Sequence, residues 1–483
     1  MVLFLVPGIC CFSQTGIKYK PLDVADPVVF RGNSIVYDGK YIQLGPHAFF
    51  IDGQLPASEA AKYPFVFNSV NEACKHLTDG TGQEPMVLYI APYVYWIDDP
   101  DDLQVRKGKN GQPPFGLEIE CKWLRFQGLT ARPENVILAC NRGQTLGSQG
   151  NFTLFKIIGD GISSENITFG NYCNVDLEYP LKPELGREKR ASAIVQAQLI
   201  ICNGDKIVAR NTRFISRLNL CPFVGAKRIL FDSCHFESTD DALCGTGVYL
   251  NSTFVFYSSK PFYNTVGTGA VLLNCNINSF TGGEQYFTKA SGQVVVVDTR
   301  IESKSANYLG WRDIPPVETR NYQYNVIMNG NPVLIGSHDS ASTVNMENKP
   351  LLDAYRFVWQ GKVVYNVYNL LCGNDGWDPA YEKELVLAAE KGSGKKYTQL
   401  PVQLKIQPAS TFAETGKDTI MLVAQAFRFG NFPAKENISW HIVDEYEDIV
   451  TLHTTGLPKA IFTANIAVKF NMYKLTQVSI VYQ

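Results

Sequence analysis

Two adjacent carboxylates, Asp240 and Asp241, are the residues of this chain best suited to breaking a covalent bond. They close the stretch Cys234-His-Phe-Glu-Ser-Thr-Asp-Asp241 and precede the small Ala242. Paired carboxyl groups can share out acid and base, or acid and nucleophile, and glycoside hydrolysis asks for two of them about 5 to 9.5 Å apart. Consecutive strand residues point to opposite faces, so both reach one cleft only where a turn or bulge separates them. The same pair would equally suit a turn between strands whose aspartates bond backbone amides. Downstream, Trp311 and Arg312 are either a solvent-facing pair or an aromatic platform beside a planar clamp for a carboxylate. Lys260 and Lys289 are candidate bases for a β-elimination, with Tyr263 and Tyr286 as candidate substrate contacts nearby. Such an elimination needs calcium or Arg to neutralise the substrate's acid, and calcium prefers several oxygen ligands, of which only Asp240 and Asp241 lie together. The expectation is therefore no metal site and no cofactor. Asp375 and Asp378, in Gly373-Asn-Asp-Gly-Trp-Asp-Pro379, fit either a structured turn or a loop that binds a cation.

A repeat positions these residues. Asn211-Thr-Arg-Phe214, Ser233-Cys-His-Phe236, Asn251-Ser-Thr-Phe254, Asn274-Cys-Asn-Ile277 and Asp298-Thr-Arg-Ile301 share one pattern, with steps of 22, 18, 23 and 24 between their first residues. An earlier copy, Asn166-Ile-Thr-Phe169, lies 45 residues before the first of them, about two further steps. A period of 20 to 25 residues indicates a solenoid. The units lack a leucine skeleton and are rich in Val, Ile, Phe, Thr, Asn and Gly, which favour strands and tight turns. The pattern predicts an all-β chain built as a right-handed parallel β-helix, with the Cys, Ser and Thr of the repeated word forming a stacked ladder.

Lys and Arg number 44 against 46 Asp and Glu, a net charge of −2, which recruits neither nucleic acid nor an anionic membrane. The 12% aromatic share would suit a solenoid that stacks sugar rings on its outer face, or simply a coil interior filled with rings. Residues 1–14 are apolar, too short to cross a bilayer and without a basic start, and read as a truncated secretion signal; no other segment approaches a membrane span. The chain is expected to be exported. Cys residues are scattered singly through the body and predict buried free thiols. Phe65 to Leu77 has helical spacing and Pro85 to Pro92 reads as a strand, together capping the first coil. The coils are expected over residues 15–398, less regular from 340, with Lys391-Gly-Ser-Gly-Lys-Lys396 as a linker. Beyond it, Val402 to Ile406, Thr419 to Ala424, Ile438 to Val443, Ile449 to His453 and Val478 to Tyr482 are strand-like, with Trp440 on a central run. Residues 399–483 are accordingly expected to form a small immunoglobulin-like β-sandwich.

The order of landmarks over residues 65 to 330 resembles the pectinesterases of the pectin-lyase-like superfamily. Tyr89-Ile-Ala-Pro-Tyr-Val-Tyr95 is similar to the strand that opens that family's coils, and Asn135-Val-Ile-Leu138, Phe155 to Gly159 and Ser164-Glu-Asn-Ile-Thr-Phe-Gly-Asn171 resemble its early coils. Gln196-Ala-Gln-Leu-Ile200 matches the motif whose Gln holds the oxyanion, and Asn203-Gly-Asp205 follows it as the family's pattern requires. Glu237-Ser-Thr-Asp-Asp-Ala-Leu-Cys-Gly245 places Asp241 at the nucleophile position. Ser216-Arg-Leu-Asn-Leu220 departs from the pattern: the second Gln is Leu218, and the acid/base Asp is Asn219. Leu309-Gly-Trp-Arg-Asp313 holds the family's Arg and Trp in changed order. The resemblance implies that a carboxylate attacks a methyl ester while donors hold the oxyanion and a second acid protonates the departing methoxide. An amide cannot make that transfer, so Asp240 becomes the candidate proton donor.

Cys234 to Asp241 also resembles the coil of polygalacturonases in which adjacent aspartates share the site, although that family's companion motifs are absent. Three readings follow. The first is hydrolysis of methyl esters on an acidic plant polysaccharide or its oligosaccharides, through Asp241 with Gln196, Asn219 and Arg312. The second is a glycosidase or lyase using Asp240 and Asp241, and the third a glycan-binding solenoid without activity.

Overall fold

The computed structural model describes residues 19–482 apart from 193–194, 314–318, 408–409, 414–422, 435–436, 445–448, 456–461 and 471–473. The expected secretion signal, residues 1–14, lies outside the described residues.

The repeated word is the corner of a coil. Its first residue takes a left-handed backbone in every copy: φ is 55° at Asn166, 40° at Asn211, 56° at Ser233, 51° at Asn251, 52° at Asn274 and 49° at Asp298. Asn and Asp tolerate that conformation better than other side-chain-bearing residues because a short polar side chain bonds locally. Here the bonds run between coils. Asn211 donates to Asn166 Oδ1 at 2.8 Å, Asn274 to Asn251 Oδ1 at 2.8 Å, and Asn325 to Asp298 Oδ1 at 2.6 Å. Replacing Asn251 by Ala should therefore cost about 1–2 kcal/mol, from left-handed strain plus one lost bond, whereas Asn251→Gly should cost less. Urea midpoints of the two variants check this.

Before the corner, Ile207–Arg210 pairs in parallel with Ile229–Asp232, and the latter with Gly247–Leu250. After it, Arg213–Ile215, His235–Ser238, Thr253–Phe256, Asn276–Ser279 and Arg300–Ser303 pair in succession, all parallel. This is the parallel β-helix the spacing predicts. The second residue of each word is buried: Thr212, Cys234, Ser252, Cys275 and Thr299 form the expected ladder, tied by bonds such as Cys234 N–H to Ser252 Oγ at 3.2 Å. The ten cysteines among the described residues are free thiols, and burial pushes that of Cys275 up to about 12. The fourth residue points inward. Phe169, Phe214, Phe236 and Phe254 stack at centroid separations of 5.8, 5.1 and 4.9 Å, their rings nearly parallel, down the middle of the solenoid.

The start of the solenoid differs from expectation. Within Phe65 to Leu77, Val66–Phe67 is a strand that pairs with Phe50–Ile51, and the helix is short, Val70–Cys74, begun by Ser69 accepting from Glu72 N–H at 3.2 Å. The Phe-Val-Phe run prefers a strand, and the serine cap fixes where the helix starts. Val70 and Ala73 pack in the same core as Phe49, Ile51 and Met86, the last on the expected strand Met86–Ile90. At the other end, the segment 340 to 398 holds a hairpin, Arg356–Trp359 with Lys362–Tyr365, and two helices, Val367–Leu371 and Lys383–Ser393. The expected linker is half helix: Lys391 to Ser393 complete its last turn, and Gly394 (φ 69°) caps it.

Beyond residue 398, strands run over Gln403–Gln407, Ser410–Ala413, Val423–Arg428, Asn437–Asp444, Ile449–Thr455, Phe462–Phe470 and Lys474–Tyr482. Trp440 lies on Asn437–Asp444, paired with Ile449–Thr455. Of the expected run Thr419 to Ala424, residues 419–422 lie outside the described residues. Leu404, Ala426 and Phe429 are buried in one cluster with Val248, Val271 and Val295, so this segment's first strands share a core with the coils.

Candidate active site

The candidate residues sit where successive coils leave the inward Phe row and turn. Backbone bonds fix the vertical order: Ala197 N–H to Leu218 O at 3.1 Å, Asn219 N–H to Asp240 O at 3.2 Å, Asp241 N–H to Lys260 O at 3.2 Å, Phe262 N–H to Phe287 O at 3.0 Å, and Thr288 N–H to Trp311 O at 2.8 Å. Gln196, Asn219, Asp241, Lys260, Lys289 and Arg312 thus come from neighbouring turns of the solenoid.

The turn that the aspartate pair needed is present, because Asp241 has φ 53°. It sends the two carboxylates to different surroundings. Asp240 Oδ1 accepts from Ser258 Oγ and from Lys260 N–H, the latter at 3.3 Å. Asp241 Oδ2 pairs with Lys289 Nζ at 3.2 Å, while its Oδ1 is buried without a protein partner. Asn219, also left-handed at φ 54°, has a buried Oδ1 with no protein partner, and so does the hydroxyl of Thr239. A buried polar atom left unbonded costs about 1–3 kcal/mol. Asn219 and Asp241 both line a cavity of about 710 Å³, with Cys221, Val224, Leu243 and Tyr263.

The other candidates are distributed less favourably. Tyr263 is 55% exposed and belongs to the cavity. Gln196 is half-buried, its carbonyl accepting from Gln144 N–H at 2.8 Å, and neither it nor Arg312 lines that cavity. Neither Asp240 nor Lys289 lines it; Asp240 is held by Ser258 and Lys260 N–H, whereas Lys289 reaches Asp241 directly. Lys260 pairs with Asp313 Oδ2 at 2.9 Å and lies 5.7 Å from the centre of the Tyr286 ring. Tyr286 is 9% exposed and donates to Glu284 Oε2 at 2.6 Å; burial, then Glu284, pushes its phenol above the ordinary range. Trp311 corrects the expectation of a sugar platform. It is 1% exposed, packs on Phe287 at 5.6 Å and donates to Thr343 Oγ1 at 2.8 Å, so its ring fills the coil and meets no ligand.

Asp375 and Asp378 are likewise structural. Asp375 binds Arg228 at 2.7 and 3.0 Å and Lys206 at 2.8 Å, and the Arg228 bond holds its carboxyl well below the usual range. Asp378 accepts from Glu382 and Lys383 N–H at the start of a helix. Among the described residues no cluster of His, Cys, Asp and Glu could hold a metal ion.

Sequence reasoning missed Ser258 and Thr239. Ser258 was within reach, since the repeat step of 18 from Ser233 to Asn251 carries Asp240 onto it. Nothing in the spacing singled out Thr239.

No family model matches the chain, and no curated protein matches it. Solved structures that do match include three pectin methylesterases. The enzyme from Erwinia chrysanthemi is 14% identical, covering 60% of this chain and 91% of that one, with a TM-score of 0.40. The carrot enzyme is 14% identical over 62% and 90%, TM-score 0.40. The Yersinia enterocolitica enzyme is 15% identical over 58% and 95%, TM-score 0.40.

Proposed function

We propose that this chain is an exported carboxylic ester hydrolase that removes methyl groups from an acidic polysaccharide or its oligosaccharides. The observation that carries the reading is the state of Asp241: one oxygen paired with Lys289, the other buried, unpartnered and beside a cavity. In this reading Asp241 Oδ1 attacks the ester carbonyl carbon, and the C–O bond to the methoxy group breaks. Lys289, 3.2 Å from the other oxygen, Asp241 Oδ2, gives the leaving methoxide its proton, a task the Asn219 amide cannot perform and for which Asp240, bonded to Ser258 and to Lys260 N–H, is less well placed. Water then opens the mixed anhydride, its proton returning to Lys289, and Asp241 is regenerated. The Asn219 amide, reoriented about its last torsion, offers an N–H to the developing oxyanion. Gln196 and Arg312 are second-rank contacts to substrate in this scheme. The chain organisation proposed with it is a secretion signal at 1–14, a β-helix domain at 15–398 whose coils give way to the hairpin and helices from Arg356 onward, and an immunoglobulin-like unit at 399–483.

Methanol release from methylated pectin tests the reading. Lys289→Gln should lower kcat by about 10²- to 10⁴-fold, the usual worth of general acid–base help, with KM little changed. New reducing ends would indicate a glycosidase instead, and absorbance from unsaturated uronates a lyase. Asn219, in the place of an acid, favours one alternative by itself: binding of glycan with no product at all would leave a solenoid that recognises sugar without turning it over.

A further inference from the structure

The cavity beside Asp241 has a wall that the coils do not supply. Strands Val423–Arg428 and Phe432–Pro433 pair antiparallel, and the turn between them, Phe429, Gly430 and Asn431, lines the same cavity as Asn219 and Asp241. Gly430 and Asn431 have φ 79° and 64°, the successive left-handed residues of a tight hairpin turn. The tip is anchored. Gly430 N–H donates to Thr268 Oγ1 at 2.8 Å, Phe429 is 2% exposed in the shared core, and Arg428 donates to the Gly373 carbonyl at 2.9 Å. Beneath it Gly267 has φ 60°, a conformation that favours glycine, and a Cβ there would lie 2.7–2.9 Å from the Asn431 amide, so the two residues are in close contact.

The lining states what it would hold. Asn219 and Asp241 supply polar lining, as the oxyanion donor and the nucleophile of the reading above. Val224, Leu243 and Val266 offer apolar surface for the C–H face of a sugar ring, and Tyr263 a largely exposed aromatic face. A volume of about 710 Å³ is that of a pocket for one compact ligand.

We propose that the hairpin tip Phe429–Asn431 closes this cavity, so that the glycan is taken by its chain end, the terminal unit stopping against Asn431, and is not laid through as an internal segment. The chemistry of this proposal rests on the ester-hydrolysis reading, but its binding geometry does not. Methylated pectin is cut to a series of chain lengths and assayed at constant total ester. The initial rate of methanol release should rise with the number of chain ends, and Asn431→Gly, which keeps the turn and removes the amide, should raise the rate on long chains several-fold relative to short ones. A rate independent of chain length and unmoved by Asn431→Gly overturns the proposal. Calorimetry on Asp241→Asn with the same fragments separates the two readings: one protein bound per chain end supports end-on capture even if no preparation releases methanol, and several proteins along one chain refute it.

Discussion

Asp241→Asn should abolish methanol release from methylated pectin, lowering kcat by on the order of 10⁴-fold or more, the scale on which removal of a nucleophile or its direct partner acts. The substitution is a clean one because it spares the fold. Asp241 holds a left-handed φ of 53°, which Asn adopts as readily as Asp. Its backbone bond to Lys260 O is unchanged, and its partner Lys289, 44% exposed, returns to water at small cost. What disappears is a carboxylate whose second oxygen has no other task. An unchanged urea midpoint alongside the lost turnover would assign the effect to chemistry. Residual activity within tenfold of the parent would move the reaction elsewhere on the coils.

The largest expected effect on stability lies in the inward aromatic row. Phe236 is fully buried, stacked between Phe214 at 5.1 Å and Phe254 at 4.9 Å, with the edges of Phe231 and Tyr249 against it. Phe236→Ala removes a ring from a column with rings above and below, and the strands on either side are held by backbone pairing that resists collapse into the gap. The expected cost is about 3–5 kcal/mol, read as a lowered urea midpoint. Phe236→Leu, which keeps much of the volume, should cost markedly less. Because each coil contacts only its neighbours, the damage should spread from the middle of the solenoid, loosening the Asp241 turn that follows five residues later.

The coils were legible because every turn repeats the same physical demands: a left-handed corner, a small buried residue, then an inward apolar one. Asn211, Thr212 and Phe214 satisfy them in order, and so do Asn251, Ser252 and Phe254. The helix Lys383–Ser393 was missed because its last turn, Lys391-Gly-Ser393, has the composition of a linker, although eight residues of good helix formers precede it. Trp311 was misplaced for a different reason. It follows the strand Ala306–Gly310 directly, and its ring turns inward onto Phe287 and Thr343, whereas an aromatic beside an arginine looked like a binding surface. Asp241, Asn219 and Tyr263 were found in the sequence, but their shared cavity was not. One of its walls is a hairpin tip that follows them by more than 160 residues of chain, and no local pattern reports a contact of that separation.

Asp241 forms a covalent acyl link with the substrate in this mechanism. Hydroxylamine added during turnover of methylated pectin opens the mixed anhydride at one of its two carbonyls, leaving a hydroxamate either on Asp241 or on the substrate uronate, and mass spectrometry of peptide and glycan locates it. The expected result is a hydroxamate on one of these two, formed during turnover and absent with Asp241→Asn. Steady methanol release in hydroxylamine with no enzyme-dependent hydroxamate on either Asp241 or the uronate would contradict it.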